Sequence, residues 1–242
     1  MRIKIEVVFE DDHLLIVNKP ADLLTIPDRF RKDIPNLYDL LSKDRENLYT
    51  VHRLDKYTSG GIMFAKTKEA HRAMSQAFEN RTPEKYYLAV VDGILRNKED
   101  DIEAPLTESM AVRGKMLVHK RGKLTKTSYK VLEEFQKYSL VQLKLHTGRL
   151  HQIRVHLSHI GHPLVVDHLY GTREEFFLSE IKKRKYRLKS GEDERPLVTR
   201  QPLHSSRLVF DHPFTDEKID LEFDLPKDIR ALLSQMRKLL GS

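Results

Sequence analysis

The segment "VHRLDKYTSGG", residues 51–61, sets one carboxylate, Asp55, among His52, Arg53 and Lys56, then runs into Thr58-Ser59-Gly60-Gly61. Short hydroxyl side chains ahead of paired glycines predict a turn. An Asp on such a turn is most often a cap or a solvated ion. Crowded by bases it can instead be held ionised, because nearby positive charge favours the charged form. An ionised carboxylate presented on a turn can serve as nucleophile or base, and the bases around it suit a polyanionic substrate.

A second group lies in "TGRLHQIRVHLSHIGH", residues 147–162, which holds Arg149, Arg154 and several histidines. Arg154 is of a type that can pair with Asp55 as a buried guanidinium–carboxylate. His156 and His159, with Asp167 nearby, offer part of a zinc set, but no H-E-x-x-H arrangement accompanies them. Structural, hydrogen-bonding or RNA-contacting histidines are expected, and no metal. Ser59, His52 and Asp55 can be written as a triad, yet no nucleophile elbow supports it. No phosphate-cradling loop is present, and no second acid stands out beside Asp55 for a paired-carboxylate glycosidase.

The elements that must hold these residues are legible in outline. Strands are expected at Ile3 to Phe9 by alternation and at Leu14 to Val17 as an apolar run stopped by Pro20. A loop then precedes a short helix capped by Asn36, and "IMFAK" follows the Asp55 turn as a strand. Thr67 caps a helix whose Ala70, Ala73, Met74, Ala77 and Phe78 share one face. "KYYLAVVDG" reads as a strand on which Tyr86 and Tyr87 face opposite ways. Residues 113–126 form a basic hairpin-like arm, followed by strands near "TSYKVLEEF" and "YSLVQLKLHT". A helix is expected from Gly148 to Gly161. Two late strands precede a final helix from Pro226 that buries Ile229, Leu232, Leu233 and Met236. The arm and the basic stretch 182–189 are candidate surfaces for a polyanionic backbone. Strands in hairpin order with few helices predict a single α+β domain, residues 1–242, on a mainly antiparallel mixed sheet with flanking helices.

Composition narrows the classes. The chain of 242 residues is 39% hydrophobic and 33% charged, enough for a core beneath a charged surface. A formal charge of +7 favours a polyanion partner such as nucleic acid. No cysteine occurs, which excludes disulfides and thiolate zinc sites and fits a reducing cytoplasm. No apolar run has membrane-spanning length and no signal-peptide core opens the chain, so a cytoplasmic protein with no membrane association is expected.

"HRLDKYTSGG", "KYYLAVVDG", "TGRLHQIRVHLSHIGHPLVVDHLYG" and "PLHSSRLVFDHP", in that order, resemble the RluA-type RNA pseudouridine synthases. The resemblance runs from "DDHLLIVNKP" to the C-terminal strands and implies a pseudouridine synthase-like fold. It implies a catalytic domain without the small S4-like RNA-binding domain of some members, since the pattern begins almost at Met1. By this resemblance Asp55 is the nucleophilic aspartate and Arg53 fills the space left by a flipped uridine. Tyr87 stacks on the base, and Arg154 pairs with Asp55. His52, Arg149 and Gln152 join Arg53 as RNA-binding and base-flipping candidates. The implied reaction isomerises uridine to pseudouridine in ribosomal or transfer RNA, needs no cofactor and no metal, and requires base flipping. RNA is the implied partner, with no obligate protein partner and a monomeric enzyme. Asp22 stands where the family pattern "KPAG" has glycine, and Gly61 stands where "TSGL" has an aliphatic residue. An RNA-binding or RNA-chaperone protein on the same fold is the alternative. Retention of Asp55, Tyr87 and Arg154 together counts against it, because binding alone needs no ionised acid. A nucleic-acid hydrolase is disfavoured by the missing metal ligands.

Overall fold

The computed structural model describes residues 3–182 and 193–241. It opens with strands β1 (Glu6–Glu10) and β2 (Leu14–Lys19) and a short helix α1 (Leu37–Leu41), extended by a 3-10 turn. Next come β3 (Tyr49–Thr50), β4 (Ser59–Ala65), α2 (Lys68–Glu79) and β5 (Glu84–Asp92). Then follow β6 (Glu99–Glu108), β7 (Met116–Val118), β8 (Lys123–Phe135), β9 (Tyr138–Leu145), α3 (Gln152–His159) and α4 (Leu178–Ile181). Strands β10 (Leu203–Asp211) and β11 (Lys218–Glu222) and helix α5 (Lys227–Leu240) close the chain. Among the described residues no helix is long and apolar enough to cross a membrane. The fold is α+β, with mixed but mainly antiparallel strand pairing.

The described residues fall into two compact units: the chain up to Tyr87 together with His204–Asp224, and Leu88–Leu203 together with Leu225 onward. In the first, β1, β2, β4 and β10 lie side by side, with β3 on β4 and β11 on β10. Strands β4 and β10 run parallel, pairing Ser59 with His204 and Gly60 with Ser205. Leu14, Ile16, Met63 and Ala65 alternate inward from β2 and β4 and meet Ala70 and Met74 of α2, with Leu208, Phe210 and Phe223. Helix α2 starts as its sequence dictates, with the Thr67 side chain accepting from the Ala70 amide at 3.1 Å. Of the expected apolar face, Ala70 and Met74 are buried, while Ala73, Ala77 and Phe78 are half-buried at its edge.

The glycine pair does not form the expected turn. Ser59, Gly60 and Gly61 are the first residues of β4 and are buried. The turn ends one residue earlier, with the Thr58 amide on the Asp55 carbonyl at 3.1 Å. The glycines answer long-range crowding instead. A Cβ on Gly60 (φ +109°) would lie 2.1 Å from the Ser205 carbonyl oxygen, and one on Gly61 would lie 2.0 Å from the Phe223 ring. Phe223 thus occupies the space that an aliphatic residue at position 61 would take.

In the second unit β9, β8, β6 and β7 lie in that order, with the later half of β5 beside β9. Strand β6 was not anticipated: "EDDIEAPLTE" opens on acids and contains proline. Its alternation is real, with Ile102, Ala104 and Leu106 buried. Its outward acids pair across the ladder, Glu99 with Lys130 at 2.5 Å and Asp101 with Lys126 at 2.6 Å. Helix α5 buries Ile229, Leu232, Leu233 and Met236 as its spacing dictates, against Phe135, Leu140, Val165, Val166 and Phe176. Helix α3 begins at Gln152 rather than Gly148, after His151 takes a left-handed conformation at φ 53°. The basic stretch 182–189 lies outside the described residues except for Lys182.

Gly61→Leu alone is expected to lower stability by about 3 kcal/mol through overpacking. Adding Phe223→Ala should recover part of that loss. Denaturant unfolding of both variants and Phe223→Ala measures the coupling, and strictly additive losses would show that Phe223 does not exclude a side chain at position 61.

Candidate active site

Asp55 sits in the irregular segment between β3 and β4, and the backbone on each side of it is fixed. On one side the Thr25 hydroxyl donates to the Leu54 carbonyl at 2.9 Å and accepts from the Leu54 amide at 3.2 Å. On the other, the Lys56 carbonyl accepts from the Leu23 amide at 3.2 Å and from Lys19 Nζ at 3.1 Å. Lys19 ends β2 and is fully buried. Its ammonium also donates to the Pro20 carbonyl at 2.9 Å and the Leu23 carbonyl at 2.7 Å. An ammonium carries three donors, and three carbonyls receive them here. Bonds from a charged donor are roughly twice as strong as neutral ones, so this clamp is a firm hold on the loop.

The basic neighbours of Asp55 have work of their own. Lys56 pairs with Asp22 at 2.9 Å. Asp22 has φ 59°, the left-handed conformation that glycine adopts freely and Asp tolerates better than most residues. His52 is turned inward: its Nε2 accepts from the Met63 amide at 3.1 Å and its ring stacks on Phe78 at 4.7 Å. Burial, helped by the charge of Lys85, pushes its pKa down to about 3, so the ring is neutral. Arg53 is exposed. His52, expected among RNA-contacting residues, therefore holds the loop to β4.

Tyr87 lies in the same unit and is 6% exposed, whereas Tyr86 is half-buried with its hydroxyl on Glu84. Burial raises the Tyr87 pKa, and the negative charge of Asp55 raises it further, against a hydrogen bond with Ser205. Tyr87 is thus a neutral phenol near the Asp55 side chain. Ser205 is held in turn by the parallel pairing of β4 and β10. There Ser59 Oγ and His204 Nδ1 are 3.0 Å apart, and His204 Nε2 lies 3.0 Å from the Phe223 carbonyl oxygen. These strand contacts place the Tyr87 hydroxyl and the Asp55 loop in one frame.

In the second unit Arg154 projects from α3 and is 5% exposed. Its Nε donates to Asp167 Oδ2 and its Nη2 to Asp167 Oδ1, each at 2.7 Å. Burial pushes the Asp167 carboxyl up, but Arg154 and the amides of Leu169 and Tyr170 outweigh it and hold the carboxyl below its usual range. The Tyr170 ring lies under the guanidinium, 5.0 Å from its carbon. Gln152 is buried, with its amide nitrogen on the Lys126 carbonyl at 3.1 Å and Thr127 Oγ1 at 3.0 Å. Its amide oxygen accepts from Thr147 at 2.8 Å and from the Arg149 amide at 3.1 Å. Both donors and the oxygen are occupied internally, which makes Gln152 a support for the loop that carries exposed Arg149, not an RNA contact. The histidines likewise hold structure: His156 Nε2 lies 2.7 Å from Thr125 Oγ1, and His151 Nδ1 lies 2.9 Å from the Tyr170 hydroxyl.

Residues 13–159 match the family model described as RNA pseudouridylate synthase. The chain belongs to this family. Ribosomal large subunit pseudouridine synthase D of Pseudomonas aeruginosa is 37% identical over 248 residues, covering 98% of this chain and 73% of that protein. The protein of the same name in Escherichia coli K12 is 33% identical, covering 97% of this chain and 71% of its own length. Among solved structures, human RNA Pseudouridylate Synthase Domain Containing 4 shares the fold with a TM-score of 0.75 at 23% identity, over 96% of this chain and 93% of that one. As a pseudouridylate synthase, the protein is an isomerase that converts uridine to pseudouridine in RNA.

Sequence reasoning passed over the clamp residues Lys19 and Thr25, the strand residues His204 and Ser205, and Asp167 as the partner of Arg154. Lys19 had one signal, a lysine at the end of a strand whose Leu14–Val17 are apolar, just ahead of Pro20. Lys19→Met should strip the donors from buried carbonyls and lower stability by about 2–4 kcal/mol. Pseudouridine formation should fall at least about tenfold, as judged by denaturant unfolding and initial rates. Wild-type values of both would exclude the clamp. Acid gives a second check. His52 and His156 have folded pKa values of about 3 and about 4, both set by burial and both below the unfolded value. Between those values and about 6.5 the unfolded chain binds more protons, so stability is complete above that range and is lost as the pH falls. Unfolding free energies from pH 7 to 4.5 should show this slope, and His156→Gln should flatten it.

Proposed function

We propose that this synthase modifies ribosomal RNA of the large subunit and that Asp55 is its reactive carboxylate. The clamp on both sides of Asp55, with a buried phenol that feels its charge, is the observation that carries this reading. The names of its relatives carry the choice of RNA. Isomerisation breaks the N1–C1′ bond and joins C5 to C1′, while one proton leaves C5 and one arrives at N1. The composition and oxidation level of the nucleotide are unchanged, so a carboxylate acting as nucleophile or base meets the chemical need without a cofactor. The uridine must leave its stack to be reached. Tyr87 supplies the aromatic platform, and exposed Arg53 fills the vacated space.

Arg154 is proposed to hold Asp55 ionised, a role that comes from the sequence resemblance. The bidentate grip of Asp167 supports it by fixing the guanidinium plane. Arg149 and the exposed bases Arg113, Lys120, Arg121 and Lys123 are proposed phosphate contacts. The enzyme is proposed to work as a monomer in the cytoplasm, with no obligate protein partner.

Asp55→Asn should fold, bind a large-subunit RNA transcript with wild-type affinity, and make no pseudouridine. Full activity in that variant would remove Asp55 from the chemistry. Arg154→Met should reduce turnover by at least about a hundredfold, in the range for losing a group that stabilises charge at the reacting centre. A protein that only bound RNA would give identical results for wild type and both variants.

A further inference from the structure

Phe30 is 70% exposed and stands in "PDRFRKD", residues 27–33, where Arg29, Arg31 and Lys32 are exposed too. Its loop is not a loose tail. The ends are pinned by the Leu37 amide on the Leu24 carbonyl at 2.8 Å and the Tyr38 amide on the Thr25 carbonyl at 3.0 Å. Within it, Asp28 Oδ1 accepts from the amides of Phe30 and Arg31, each at 2.9 Å. This is a compact Ω-type loop whose backbone is held at Phe30 and Arg31. Asp33 is the other carboxylate nearby and is exposed.

An exposed ring flanked in sequence by three exposed cations is a poor match for an apolar protein or lipid surface. It does suit a nucleobase, whose face stacks on the ring while its phosphates meet the cations. Position supports the same ligand. Thr25, which pins the loop, is hydrogen-bonded to Leu54, the residue before Asp55. Five residues from Thr25 to Phe30 span at most about 18 Å of chain. A base on Phe30 therefore belongs to nucleotides near the target, not to a distant part of the RNA.

We infer that Phe30 is a stacking platform for an unpaired base near the target uridine, with Arg29, Arg31 and Lys32 on the adjoining phosphates. This rests on the RNA reading above and adds a contact site to it. The chain contains no tryptophan, so Phe30→Trp introduces a lone indole reporter. Its fluorescence should be quenched when a large-subunit ribosomal RNA transcript binds. Phe30→Ala should raise KM for that transcript about tenfold with a much smaller change in kcat, and Phe30→Tyr should restore KM. Arg31→Gln should make the salt dependence of binding shallower by about 0.7 for each phosphate it no longer neutralises. A wild-type KM in Phe30→Ala overturns the platform, and an unquenched Phe30→Trp at saturating RNA does so as well. Quenching in Phe30→Trp and a raised dissociation constant for Phe30→Ala, with wild type making no pseudouridine in the transcript, would uphold the platform and remove the choice of RNA instead.

Discussion

A buried ammonium holds the loop on which the proposed chemistry depends. Lys19 is fully buried and its three protons go to the carbonyls of Pro20, Leu23 and Lys56. Placing a charge in the interior is costly, and it is tolerated where hydrogen bonds replace the lost water. Carbonyl oxygens facing inward from an irregular loop also need donors. Each requirement answers the other, and the result is a loop with little freedom on either side of Asp55. A carboxylate proposed to react with a single nucleotide gains most from such fixed placement.

The same logic recurs at other polar side chains. Thr25 serves Leu54 both as donor and as acceptor, Gln152 ties the loop of Arg149 to β8, and Asp167 fixes the plane of Arg154. None of these supports has to touch RNA. They set the direction of groups that are proposed to do so, which is why removing one is expected to disturb catalysis as well as stability.

What the sequence disclosed follows the range of the forces involved. Helix α5 and the Thr67 cap were legible because spacing and capping are local. Strand β6 was hidden because its acids read as a polar segment until the lysines of β8 came alongside. Gly60 and Gly61 were read as a turn, yet what they avoid is Ser205 and Phe223, far away in the chain. Lys19 read as an ordinary strand end because its acceptors converge only after folding. Asp55, Tyr87 and Arg154 are proposed from ordered motif resemblance, while their neighbours Ser205 and Asp167 needed coordinates. Charge crowding around Asp55 was a weaker guide than it looked, since His52 is neutral and Lys56 pairs with Asp22.

Asp55 as the carboxylate that isomerises uridine in large-subunit ribosomal RNA is the proposal on which the others rest. Its direct test maps pseudouridines in total RNA from cells lacking the gene, complemented with wild type or with Asp55→Asn expressed at equal levels. A modification in large-subunit RNA should disappear without the gene, return with wild type, and stay absent with Asp55→Asn. Its return with Asp55→Asn would refute the role of Asp55.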